Sequence, residues 1–269
     1  MNPILSVLDL EKTYRQSLAA RGEEKLHRAL SGVTFEVDRG ESLGIFGESG
    51  AGKTTLARCI LGLAEPSSGK VLFKGEKIES RNKMKLRDIR KSIQVIWQDP
   101  LIYLNPYMRA GEIVEEPLIN YQNGNRAGRR GQVNGLFEMV GLSRSFKGRY
   151  PHEMSGGQCQ RLAIARAIAP GPELLICDEA VSSLDSPMQI QILQLLKSIH
   201  SENGLTVIFI SHDLALIRYF CNRIVVLHEG KVARVGSMDE LIAHPPNPRI
   251  EELVLYAQHF MKNGRLAHQ

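Results

Sequence analysis

The chain has 269 residues, 43% of them hydrophobic and 23% charged, and carries a formal net charge of +5. That length supports one large domain or two small ones of ordinary globular composition, and no apolar run reaches the roughly 18 residues that a membrane-spanning helix needs. The modest positive charge does not by itself argue for nucleic acid, and the four cysteines (Cys59, Cys159, Cys177, Cys221) are too scattered for a zinc or iron–sulfur site, so they read as buried free thiols.

Residues 1–9 lack the basic start of a secretory signal and are interrupted by an acid, so a cytoplasmic location is expected. Residues 4–10 predict a first strand, with Tyr14 just beyond it. Residues 15–28 are polar and read as a surface loop or hairpin tip. Residues 30–37 alternate like a half-buried strand, and Asp38-Arg39-Gly40 turns the chain into the apolar strand 42–46.

The next eight residues, Gly47-Glu48-Ser49-Gly50-Ala51-Gly52-Lys53-Thr54, satisfy G-x-x-x-x-G-K-[ST]. The spacing places a helix over 55–62. A strand, a glycine-rich turn and a helix start form an anion cradle: the first backbone N–H groups of the helix have no carbonyl partner, and the helix dipole favours negative charge. Lys53 would reach the β- and γ-phosphates of a nucleoside triphosphate, and the Thr54 hydroxyl would ligate Mg²⁺.

Beyond the cradle, residues 65–69 predict a turn and 70–73 and 75–78 two short strands. Residues 81–91 carry six basic side chains on a predicted helix whose charges read as a solvated face. Strand 93–97 ends in Gln98-Asp99-Pro100, with Trp97, the single tryptophan, expected to pack in the core. From 101 to 170 strand character gives way to helical periodicity at 111–120, 132–140 and 156–169. The polar, glycine-rich stretch 123–131 reads as a mobile loop. Within this region Met154-Ser155-Gly156-Gly157-Gln158 is a second small-residue helix start, and so a second expected anion site.

Strand character returns at 174–177, which runs into Asp178 and Glu179. In an extended chain these two carboxylates project to opposite sides; Asp178 suits Mg²⁺, and Glu179 suits polarising an attacking water. Helix 188–200, strand 205–210, helix 214–220, strand 223–227, a glycine hairpin to 232–235, and helices 238–243 and 250–261 complete the chain. Strands alternating with helices predict a mostly parallel sheet covered on both faces.

The motifs together resemble those of the ATP-binding cassette (ABC) ATPases, in the family's order and over nearly the whole chain. Gly47–Thr54, with Thr55, looks like Walker A, and 174–179 like Walker B. Ser155, Gly156, Gly157 and Gln158 look like the signature, and Gln98 like the Q-loop glutamine. Ser183-Leu184-Asp185 looks like the D-loop and His212 like the switch histidine, while Tyr14 stands where the family offers an aromatic ring to adenine.

The resemblance implies an α/β fold: a P-loop NTPase (RecA-like) core over 1–97 and 171–269, an antiparallel β-subdomain, and an inserted α-helical subdomain over 98–170. It implies two cassettes closing head to tail on two ATPs with Mg²⁺ held by Thr54, Gln98 and Asp178. Glu179 would be the general base, His212 a contact for the γ-phosphate and the attacking water, Gln98 the relay to the helical insertion, and Asp185 a contact across the interface.

Residues 97–106, 111–117, 149–157 and 178–185 further resemble the peptide/nickel importer group, in its second, shorter cassette subunit. That implies a sibling cassette (or a second copy of this chain), two transmembrane permeases, an indirect link to an extracytoplasmic solute-binding protein, no nucleic acid, and a peripheral place on the cytoplasmic face of the membrane. Two departures are visible: residues 244–248 (His-Pro-Pro-Asn-Pro) replace the group's His-Pro-Tyr-Thr segment without a cysteine cluster, and Cys159 stands where a basic residue is common. Two other classes compete with this reading. One is a soluble cassette acting on ribosomes or nucleic acid, which lacks support because the basic residues show no aromatic interleaving. The other is a P-loop kinase, against which the signature and Glu179 argue.

Overall fold

The computed structural model describes residues 3–18, 23–79, 83–121, 125–246, 248 and 250–255. In chain order the elements are β1 (Leu5–Leu18), β2 (Glu23–Val37), β3 (Ser42–Phe46), α1 (Lys53–Ile60), β4 (Ser68–Phe73), β5 (Glu76–Lys77), α2 (Lys83–Ser92), β6 (Ile93–Ile96), α3 (Pro100–Tyr103), α4 (Ala110–Tyr121), α5 (Arg126–Met139), α6 (Gly156–Ile168), β7 (Leu174–Asp178), α7 (Ser186–Asn203), β8 (Thr206–Ser211), α8 (Leu214–Phe220), β9 (Arg223–His228), β10 (Lys231–Ser237) and α9 (Met238–Ala243), with two short 3₁₀ turns before α6. The chain divides into two compact units, one built from residues up to Leu86 and from Ile208 onward, the other from Arg87 to Val207.

In the first unit, β2, β1, β4 and β5 form an antiparallel sheet in that order. The register of β1 on β2 runs from Leu5 opposite Val37 to Tyr14 opposite His27 and beyond, with bulges around Leu10 and Lys12. The expected loop at 15–28 is therefore a strand on both sides of residues 19–22, which lie outside the described residues. Its polar sequence carries little hydrophobic alternation, so the period-2 signal of a strand is weak there. A second set of strands runs β10–β9–β3–β8, with β9 antiparallel to β10 and parallel to β3. Every residue of β3 is buried, as expected for a strand covered on both faces. Helix α8 sits close on it because Gly44 has no side chain: a Cβ there would stand 2.2 Å from Ile217 Cγ2. Phe209 and Phe220 stack at 5.2 Å between ring centroids, which ties β8 to α8.

In the second unit β6 and β7 pair in parallel, from Ile93 opposite Leu174 to Ile96 opposite Cys177. The helices α4, α5 and α6 pack around Ile113, Val114, Leu118, Phe137, Val140 and Leu162, all buried. Ion pairs Arg129–Glu115 (3.1 Å) and Arg166–Glu116 (3.2 Å) join them at the half-exposed rim. Arg161 Nη1 donates to the carbonyl of Val140 at 2.7 Å, closing the C-terminal end of α5.

The stretch expected to be a mobile loop, 123–131, is helical from Arg126 onward. Asn125 caps that helix by accepting from Gly128 N at 2.8 Å, and the Arg129 ion pair anchors its first turn. Tertiary contacts override the low helix propensity of Gly128 and Gly131. Of the expected helix at 250–261, residues 250–255 are helical and the rest lies outside the described residues. Among the described residues, no helix is long and apolar enough to cross a membrane.

Candidate functional site

The residues singled out in the sequence are divided between the two units. In the first, the loop 47–52 leaves the buried strand β3 and enters α1 through Gly52, whose φ of 99° lies in the left-handed region. No side chain caps this helix start and its first turn holds no acid. By contrast α6, α7 and α9 are capped by Ser155, Asp185 and Ser237. A helix start with no side-chain cap and no acid in its first turn fits a phosphate, because the helix dipole favours negative charge there.

The loop is pressed between two backbones. A Cβ on Gly47 would stand 2.5 Å from the carbonyl oxygen of Leu227, and one on Gly52 would stand 2.5 Å from that of Ala29. From the β9–β10 turn, Gly230 N donates to the carbonyl of Ala51 at 3.2 Å, and Ser31 N donates to that of Gly230 at 2.8 Å. Ala51 N closes a turn on Glu48 O at 3.2 Å. Lys53 is buried, with its ammonium donating to the carbonyls of Gly47 at 2.7 Å and Glu48 at 2.9 Å. Ser49, Gly50 and Thr54 are exposed and Thr55 is half-buried.

His212 follows β8 and is exposed. Its neighbours hold the corner: Asp213 caps α8 by accepting from Ala215 N at 2.8 Å, and Ser211 Oγ accepts from Asp213 N at 3.0 Å. Tyr14 is half-buried within β1, opposite His27. Lys12 lies over its ring, with Nζ 5.0 Å from the centroid and donating to the carbonyl of Glu65 at 2.6 Å. The bracing of the loop by Ala29 and Gly230, and the cation over Tyr14, have no motif in the sequence. They come from backbone approach and from a bulge that shifts the register beside Lys12.

In the second unit Asp178 is the last residue of β7 and only 4% exposed. Glu179 does not continue the extended chain, as the sequence suggested. Its φ is +54°, a left-handed conformation that costs a non-glycine residue about 1–3 kcal/mol. Gln98 is exposed, just past β6, between Trp97 and Asp99. Trp97 is half-buried rather than deep in the core and stacks on Tyr103 at 5.4 Å. Ser183 Oγ donates to the carbonyl of Gln98 at 3.3 Å.

At the head of α6, Ser155 and Gln158 form a reciprocal capping box: Ser155 N donates to Gln158 Oε1 at 3.0 Å, and Gln158 N donates to Ser155 Oγ at 3.4 Å. Gly156 is exposed with open space where a Cβ would be, whereas one on Gly157 would meet Met188 Sδ at 2.6 Å. Asp185 caps α7 by accepting from Met188 N at 2.9 Å.

The four cysteines are buried free thiols. Burial pushes the Cys59 thiol up to about 11, against a smaller opposing pull from Lys12. Burial also raises Cys159, with Asp99 adding to it, and Cys177 still further, with Asp178 adding to it. None is set up as a nucleophile. Among the described residues, no group of three His, Cys, Asp or Glu side chains converges as a self-sufficient metal site. Thr54 in the first unit, and Gln98 and Asp178 in the second, each offer oxygen donors, the ligand type that hard cations take.

Residues 30–182 match the family model described as ABC transporter. The chain is 45% identical over 230 residues to a probable peptide ABC transporter ATP-binding protein of Sinorhizobium fredii, covering 86% of this chain and 65% of that one. It is 44% identical over 228 residues to the oligopeptide transport ATP-binding protein OppF of Haemophilus influenzae, covering 84% and 69%. With AppF of Bacillus subtilis, also an oligopeptide transport ATP-binding protein, it shares 40% over 271 residues, covering 99% and 82%. The chain thus spans about two thirds of the length of the first two relatives. Among solved structures, the dimeric post-hydrolysis state of the ATP-binding cassette MJ0796 bound to ADP and Pi superposes with a TM-score of 0.78 at 33% identity, covering 87% of this chain and 98% of that one. The structure of cbiO1 from Clostridium perfringens, part of the ABC transporter complex cbiONQ, gives 0.79 at 28% identity, covering 97% and 100%.

Proposed function

This chain belongs to the ABC transporter ATPase family, and we propose that within it the protein hydrolyses ATP to power a membrane importer of peptides. The observation that carries the ATPase reading is the uncapped head of α1 behind the loop 47–52, with the buried Lys53 ammonium held by the carbonyls of Gly47 and Glu48. The three relatives, all peptide or oligopeptide transport ATP-binding proteins, support the cargo class.

In this reading the loop N–H groups and Lys53 bind the β- and γ-phosphates, and Thr55 extends the cradle. Thr54, Gln98 and Asp178 would hold Mg²⁺, which when bound neutralises phosphate charge. Glu179 takes the proton of the attacking water, and His212 contacts the γ-phosphate and that water. Tyr14 supplies a stacking face for adenine. Ser155, Gly156, Gly157 and Gln158 serve the nucleotide of a second cassette, and Asp185 lies at the contact with that cassette. The dimeric ADP- and Pi-bound state of MJ0796 supports such a pairing.

We further propose a sibling cassette as the partner and two permeases above the pair. A solute-binding protein would deliver the cargo outside, and the chain itself would sit peripherally on the cytoplasmic face. The test is Mg²⁺-dependent ATP turnover by the purified chain, with and without its permeases in vesicles. Turnover that vanishes in Lys53→Ala and is stimulated by a peptide-loaded binding protein is expected. Turnover indifferent to Lys53→Ala overturns the ATPase assignment.

A further inference from the structure

Gln98 and Glu179 leave neighbouring parallel strands at the same level: Ile96 of β6 stands opposite Cys177 of β7, two residues before each. Beyond the strand ends the ladder no longer holds them, yet both act on the same few atoms if the proposed hydrolysis is right. What fixes their backbones is a pair of consecutive serines. Ser182 Oγ donates to the carbonyl of Glu179 at 2.9 Å, and Ser182 N donates to the same oxygen at 3.1 Å. This pins the one residue of the segment whose φ is left-handed. Ser183 Oγ donates to the carbonyl of Gln98 at 3.3 Å, 85 residues away in sequence.

The serines are themselves anchored. Leu184 N donates to the carbonyl of Val181 at 3.2 Å, Gln189 Nε2 from α7 donates to that same oxygen at 3.0 Å, and Asp185 caps α7 immediately after. The hydrogen bonds close a ring: β6, Gln98, Ser183, Ser182, Glu179, β7. All of its members lie within the second unit.

We infer that Ser183 is a positioning residue for ATP hydrolysis: its hydroxyl latches the Gln98 peptide to the segment that carries Glu179, so that the two residues are presented in fixed register. The inference rests on the proposed ATPase role of Gln98. A side chain that makes one exposed hydrogen bond contributes little to stability, so its loss is read in turnover. With the full-length chain, Ser183→Ala lowers kcat roughly three- to tenfold, the equivalent of one neutral hydrogen bond, and leaves the KM for ATP within about twofold. Ser183→Thr keeps the hydroxyl and restores turnover. The melting temperature of both variants stays at the parent value.

The decisive readout is a double-mutant cycle with Gln98→Ala. If Ser183 acts through Gln98, adding Ser183→Ala to Gln98→Ala costs nothing more. A full extra loss in that background overturns the latch, and so does parental kcat in Ser183→Ala while Gln98→Ala is impaired. Parental turnover in Gln98→Ala overturns the role of Gln98 itself, and the latch with it.

Discussion

The phosphate loop contains a paired experiment. Gly50 and Gly52 both have left-handed φ, +82° and +99°, but a Cβ on Gly50 meets nothing within 4 Å, whereas one on Gly52 meets the Ala29 carbonyl oxygen at 2.5 Å and Leu30 Cδ2 at 2.8 Å. Gly50→Ala therefore carries only the conformational penalty of an alanine in the left-handed region, about 1–2 kcal/mol. Gly52→Ala carries the same penalty plus overpacking against a backbone oxygen that cannot rotate away, a further ~1–3 kcal/mol. The total, about 2–5 kcal/mol, is released either by unfolding or by β2 and the loop separating. Either route spreads the N–H groups at the head of α1.

The assay is urea unfolding of both variants alongside titration with a fluorescent ATP analogue. Gly52→Ala should lose at least about 1 kcal/mol more than Gly50→Ala, and its ATP affinity should fall by more than tenfold, since each 1.4 kcal/mol is a factor of ten. Equal stability and affinity in the two variants would refute the claim that the hairpin braces the loop.

Other perturbations probe other links. Glu179→Gln keeps shape and removes the proposed base, so ATP binding should persist while hydrolysis drops roughly 10²–10⁴-fold, measured by single-turnover phosphate release. Phe137→Ala, at a fully buried ring, should cost about 3–5 kcal/mol in urea unfolding. Gly157→Ala meets only the flexible end of Met188 and should cost less than about 2 kcal/mol, recovered by adding Met188→Ala. The Cys59 thiol, raised from 9.0 to about 11, favours the folded state while protonated: its contribution is complete below pH 9 and is lost as pH rises toward 11. Urea midpoints should therefore decline less between those values in Cys59→Ala than in the parent.

Much of this was legible in residue order. Strand β3 and the glycine loop, β7 with its terminal acid, and α8 and α9 follow hydrophobic period and local caps, which are short-range signals. What escaped the sequence depends on distant partners. The outer ladder of β1 and β2 lacks an apolar face to announce it. The first turn of α5 is stabilised by the Asn125 cap and the Arg129–Glu115 pair against the preference of its glycines. The left-handed Glu179 and the reach of Ser183 to Gln98 arise only when β6 and β7 lie side by side. Lys12 over Tyr14 depends likewise on a bulge that no periodicity foretells.

The central claim, an ATPase subunit that drives a membrane importer, is tested most directly by affinity purification of the tagged chain from the membranes of its native host, with identification of everything retained. Two permeases and a sibling cassette in constant ratio, released together by detergent, are the predicted result. Recovery of the chain alone, or with ribosomes, would contradict the transport assignment while leaving the nucleotide chemistry in place.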